Sequence, residues 1–136
     1  MSQFRDTELA AAPVPQRFPA RLRVARRCDF QRAFMHGRRA SDGVLRVWVA
    51  ANGLDHPRLG ISVGKKHGNA VRRNRLKRVA REAFRLSLEE FPQGVDIICM
   101  PRWDVELTCT DCVRSMKRLV SKAAERALGC NFDGSA

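Results

Sequence analysis

Nine lysines and arginines lie between Lys65 and Arg85, against a single acid, Glu82. Residues of this type can grip phosphates. A short element with so much positive charge repels itself unless a polyanion neutralises it, and nucleic acid is the commonest such partner. An ordinary solvated helix face interleaves acids with its cations, and this one does not. At 100° per residue, Leu76, Val79, Ala80, Ala83, Phe84 and Leu86 share one arc of roughly 160°, which suits docking on a core. Asn74, Lys77, Arg78, Arg81 and Arg85 occupy the opposite arc. Arg72 and Arg73 fit either the first turn of this helix or the loop before it. Gly68 allows a sharp bend and Asn69 is a good N-cap, and the free N–H groups of that turn are a further anion site.

Groups for autonomous catalysis are not assembled in the sequence. No Ser-His-Asp or Cys-His pattern stands out, the acids do not cluster, and no glycine-rich phosphate loop is present, so no catalytic or metal-ligating residue is assigned. Cys109-Thr-Asp-Cys112 is a lone CxxC with no second ligand pair, and His36, His56 and His67 are scattered upstream. A structural zinc site needs four ligands, so free thiols are expected. Five cysteines, an odd count, also argue against a closed disulfide framework. Aromatic residues supply the remaining chemistry. Phe30 and Phe34 stand at i and i+4 on one helical face with Arg26, Arg27 and Arg32 around them. Such a pair is either core or a stacking surface for single-stranded nucleic acid. Trp48, on the Arg46 side of its strand, is open to the same two readings.

The elements that must position these residues follow from periodicity. Residues 1–16 lack it and read as a flexible leader, 17–128 as one folded domain, and 129–136 as a mobile tail. A helix is expected within Arg23–Met35, closed by Gly37. Gly43–Ala50 reads as a strand with Leu45, Val47 and Val49 on one side and Arg46 and Trp48 on the other. A turn at Asn52–Pro57 leads to a second strand, Arg58–Val63, making a hairpin. The basic helix runs to about Glu89. Val95–Met100 is a short strand of the buried type, closed by Pro101. A last helix starts at Leu107 or Thr110 and runs to Leu128, with Val113, Met116, Leu119, Val120, Ala123 and Ala127 as its apolar stripe and Gly129 as its cap. The fold class is α+β: a small sandwich of one sheet with packed helices in the order α-β-β-α-β-α, with room for a further short strand at Arg38–Ala40. A chain of 136 residues with a net charge of +12 is one basic domain. It contains no run of eighteen apolar residues and no signal-like apolar region at its start. A cytoplasmic, membrane-independent protein, monomeric when alone, is expected.

The stretch Lys65-Lys66-x-Gly68-Asn69-Ala70-Val71-x-Arg73-Asn74-Arg75-x-Lys77-Arg78-x-x-Arg81-Glu82-x-Phe84-Arg85 resembles the signature of the bacterial ribonuclease P protein subunit. Flanking pieces agree in order: Arg17-Phe18-Pro19, Arg21-Leu22-Arg23, Asp29-Phe30 with Phe34 and Gly37, Leu59-Gly60-Ile61-Ser62-Val63, and Asp96-Ile97-Ile98. The resemblance spans about Arg17 to Leu128. It implies a four-stranded sheet with an unusual left-handed crossover. It also implies a partnership in which an RNA subunit with bound Mg²⁺ removes the 5′ leader of precursor tRNA, and the protein binds that RNA and holds the leader. Carried over by motif, Lys65, Lys66, Arg73, Asn74, Arg75, Lys77, Arg78 and Arg81 would contact the RNA, while Phe30, Phe34 and Trp48 would line the leader cleft. His67, Gly64 and the Cys109/Cys112 pair depart from the family pattern. Two other readings compete: a general RNA-binding module, and a DNA-reading helix. The second fits worse, because base readers carry mixed polar side chains and this face is nearly all Lys and Arg.

Overall fold

The computed structural model describes residues 19–127. The expectations for residues 1–16 and 129–136, for Arg17 and Phe18, and for a helix cap at Gly129 lie outside them. Within the described residues the elements are α1 (Arg27–His36), β1 (Arg38–Ser41), β2 (Leu45–Ala51), β3 (Arg58–Ile61), α2 (Ala70–Ser87), β4 (Val95–Pro101) and α3 (Cys109–Ala127), with single 3₁₀ turns at Ala20–Leu22, Lys65–His67 and Leu88–Glu90. The short strand for which the sequence left room is β1.

One four-stranded sheet runs in the order β1-β2-β4-β3. Here the structure corrects the expected hairpin of β2 with β3. β2 pairs antiparallel with β1 on one side and β4 on the other, and β3 pairs parallel with β4. The hairpin is β1–β2, closed by Asp42, whose Oδ1 accepts the N–H groups of Val44 and Leu45 at 2.8 and 2.9 Å. The physical reason lies in β4. Val95, Ile97, Ile98 and Cys99 are all fully buried, so this run finds its place only at the centre, with a strand on each side and helices over both faces. It therefore separates β2 from β3.

Alternation along β2 divides the molecule into two layers. Leu45, Val47 and Val49 are fully buried and face α2 and α3, where Leu76, Ala80, Ala83 and Phe84 meet Met116, Leu119, Val120 and Ala123 in the main core. Removing a side chain such as Phe84 from this layer would cost about 3–5 kcal/mol. Two details of the α2 stripe differ from expectation. Leu86, at the edge of the apolar arc, is 55% exposed, and Ser87, nearer its centre, is fully buried. On the opposite face α1 covers a smaller cluster of Val24, Ala33, Ala50 and Ile98, with Phe30 and Trp48 packed against it. The first helix is shorter at its N-terminus than the sequence suggests: Arg23 instead forms a parallel bridge with Leu59 at the β3 edge.

Candidate nucleic-acid interface

α2 begins where the sequence allows it to begin. Gly68 takes φ +107°, a value that side chains rarely adopt, and Asn69 Oδ1 accepts the Arg72 N–H at 2.9 Å. Arg72 and Arg73 therefore belong to the first turn of the helix. The Arg72 guanidinium donates to the carbonyls of Trp103 and Val105 at 3.4 and 3.2 Å, and lies 3.4 Å from Glu106. It works as a clamp on the loop after β4. Arg75 reaches the same carboxylate, also at 3.4 Å. Asn74, Arg75 and Arg78 are exposed, while Arg73, Lys77 and Arg81 are half-buried. Arg73 Nε is buried with no hydrogen-bond partner.

Lys65 and Lys66 ride on the 3₁₀ turn before α2, and His67 fixes that turn. Its Nδ1 accepts the Gly64 N–H at 3.0 Å and its Nε2 lies 2.7 Å from the Pro101 carbonyl. A carbonyl only accepts, so Nε2 carries the proton and the neutral ring staples the turn to the end of β4. The sequence marks this histidine only as a departure from the family pattern and gives no sign of the staple, which depends on a carbonyl 34 residues away.

The aromatic set sits across the sheet. Phe30 lies over Gly60, where an added Cβ would come within 2.9 Å of the Phe30 ring and 2.7 Å of Ile98 Cδ1. Phe34, 37% exposed, meets Trp48 edge-on with ring centroids 4.7 Å apart and planes at 89°. Phe30 and Trp48 are half-buried. Phe30 and Trp48 thus pack against the α1 cluster and keep part of their surface exposed, with Phe34 in water beside them; we call the three rings the aromatic lip.

The cleft and the basic helix meet. A pocket of about 120 Å³ opens between Phe30 of α1, Leu59 and Ile61 of β3, and Lys77 and Arg81 of α2, with Arg23 at its rim. Arg81 has no acidic partner among the described residues. Burial and then the nearby Arg23 charge lower its pKa from the usual guanidinium value. Both stresses would be relieved by an anion in the pocket. Of the residues singled out in the sequence, Phe30, Lys77 and Arg81 come together here, Phe34 and Trp48 lie beside them, and Asn74, Arg75 and Arg78 lie further along the exposed face of α2. Lys65 and Lys66 form a separate cationic turn. The sequence marks Arg23 only as part of the Arg21-Leu22-Arg23 stretch, because its place at the pocket depends on the bridge to Leu59.

Beneath the lip lies a charge network that sequence reasoning also missed. Asp96, fully buried, accepts from Arg58 Nε and Nη2, both at 2.7 Å, from Asn52 Nδ2 at 2.9 Å and from Arg32 Nη2 at 3.1 Å. Asp29 adds contacts of 3.4 Å to both arginines. The bond to Asp96 raises the pKa of the Arg58 guanidinium. This network ties α1 to the sheet and fixes the height of the aromatic lip.

The arrangement can hold phosphates on Lys and Arg and bases on Phe and Trp. Among the described residues no three His, Cys, Asp or Glu side chains gather in a way that could hold a metal ion. Cys28, Cys99, Cys109 and Cys112 are free. Burial, with Cys109 beside it, pushes the Cys112 thiol up to about 12.

The family model described as Ribonuclease P matches residues 18–124. The ribonuclease P protein component of Syntrophus aciditrophicus is 37% identical over 101 residues, which span 74% of this chain and 85% of that protein. That of Thermotoga petrophila is 45% identical over 85 residues, 62% of this chain and 73% of its own. The solved ribonuclease P protein from Thermotoga maritima superposes with a TM-score of 0.67 at 33% identity, covering 74% of this chain and 96% of that one.

Proposed function

Because the chain belongs to the ribonuclease P protein component family, whose members are subunits of an endoribonuclease that processes tRNA, we propose that it binds the ribonuclease P RNA through α2 and the Lys65–Lys66 turn, and the 5′ leader of precursor tRNA through the aromatic lip. The observation that carries this division is the pocket where Phe30 faces Lys77 and Arg81. A leader strand laid over the rings would there come within reach of the helix that grips the catalytic RNA. Lys65, Lys66, Arg73, Asn74, Arg75, Lys77, Arg78 and Arg81 hold RNA in this reading, and Phe30, Phe34 and Trp48 hold the leader.

Among the described residues no set of side chains fits a resident Mg²⁺. Asp96 and Asp29 are taken up by arginines, and the exposed face is cationic. We assign the ion, and with it the hydrolytic chemistry, to the RNA subunit and the substrate. The protein contributes charge neutralisation and positioning. The described helices include none long and apolar enough to cross a membrane. In this reading the protein works in the cytoplasm, where tRNA is processed. Alone, the protein acts as a monomer.

The test is cleavage of precursor tRNA by a bacterial ribonuclease P RNA at low Mg²⁺, with and without this protein. Mature 5′ ends that need both components support the proposal. Tight RNA binding with no stimulation of cleavage would reduce the chain to a general RNA-binding module.

A further inference from the structure

The face of the sheet that carries Trp48 continues past α1. Arg46 lies two residues from Trp48 along β2, about 6.6 Å away by strand rise, on the same face and opposite Met100 of β4. Beyond it opens a second pocket, of about 310 Å³, lined among others by Arg46, Lys66, Met100 and Trp103. Three of its properties point to a ligand. Arg46 and Lys66 are exposed and have no acid partner among the described residues. Asp42, the acid in the lining, is already held by Arg118 and by the turn of the β1–β2 hairpin. Trp103 is 56% exposed, yet its carbonyl is held by the Arg72 clamp, so a large apolar ring is held out in water on an anchored loop.

An exposed indole beside two uncompensated cations is matched by a base with its phosphate. A protein partner would have to supply carboxylates to both cations as well as an apolar surface for the ring, whereas one nucleotide brings both. Arg46 also places the pocket next to Trp48 on the same face of the sheet. We propose that Trp103, with Arg46 and Lys66, forms a second single-stranded nucleotide subsite: a base stacks on the indole, the two cations hold the adjoining phosphate, and Met100 forms the floor. That the strand is the precursor leader rests on the ribonuclease P reading above. The stacking itself does not.

Two measurements separate those claims. The chain has two tryptophans, so in a Trp48→Phe protein the emission reports Trp103 alone. Titration with a short single-stranded oligoribonucleotide should quench it, with a midpoint that moves to higher concentration as salt is added. Unchanged emission at concentrations that saturate binding by anisotropy of the labelled oligomer would overturn the subsite. The second measurement uses the holoenzyme and precursors with leaders of increasing length. Trp103→Ala should weaken binding on the order of tenfold once the leader is long enough to reach past Trp48, and Trp103→Phe should restore most of that loss. Equal loss at every leader length, or lost affinity for the RNA subunit instead, would overturn the leader assignment. If the unsubstituted protein fails to stimulate cleavage at all, the ribonuclease P reading falls, while the quenching result still decides whether a nucleotide stacks on Trp103.

Discussion

Asp96 is a carboxylate removed from water by folding, and its donors determine what their loss would cost. Arg58 supplies two of the four hydrogen bonds at 2.7 Å. Arg58→Ala should therefore lower stability by about 3–5 kcal/mol, because a buried charge keeps its desolvation cost after losing its partner; the shift in urea midpoint reads this directly. Phe34 belongs to a different class. Its ring is partly exposed and touches Trp48 by an edge, so Phe34→Ala should leave the fold intact and weaken only substrates that carry a leader. A variant that unfolds instead would make Phe34 a core residue. The thiols can be ordered in the same way. Burial, with a contribution from Cys112, pushes the Cys99 thiol well above its usual value, and burial raises Cys112 to about 12. The thiolate is the reactive form, so at pH 8 a thiol reagent should modify exposed Cys28 while Cys99 and Cys112 react only after denaturation. Rapid reaction of either buried thiol in the native protein would contradict the packing described for β4 and α3.

α2 does its work as an element whose exposed face sums many phosphate contacts. If about six phosphates are neutralised, RNA affinity should fall on the order of 10³-fold between 50 and 200 mM salt, and Lys77→Ala should flatten the logarithmic slope by about one. A slope unchanged by that substitution would take Lys77 out of the interface. This face was legible in the sequence because it depends only on local spacing: the helical period, the Asn69 cap and the scarcity of acids all lie within twenty-odd residues. The same holds for the inward Leu45-Val47-Val49 pattern of β2. What could not be read depends on distant residues. The partners of Asp96 stand 38, 44 and 64 positions away. The supposed β2–β3 hairpin failed because a later strand competes for both edges. The Arg23 rim and the Trp103 subsite exist only once β3 and β4 are side by side. Gly60 shows how a single position links elements: without a Cβ it lets Phe30 settle on the sheet.

For the whole molecule, a net charge of +12 on 136 residues means that the free protein folds against its own repulsion. Anions that settle in the Arg23–Arg81 pocket or on the Lys65–Lys66 turn bind the native state alone, so they should stabilise it by mass action. Sulfate should raise the melting temperature by several degrees over chloride at matched ionic strength, and Arg81→Gln should shrink that difference; equal melting in the two salts would show that no anion site is formed. The order of the sheet bears on time as well as on charge. β4 is central in space but late in sequence, at Val95–Pro101, and both β2 and β3 depend on it for pairing. On the ribosome the cationic helix is synthesised before the strand that completes its platform. A nascent chain up to residue 94 can close the β1–β2 hairpin and wind α2, yet β3 has no neighbouring strand until β4 arrives. Competence to hold a nucleotide strand therefore comes as a late, all-at-once event in biosynthesis, after β4 has emerged and the two halves of the sheet are joined.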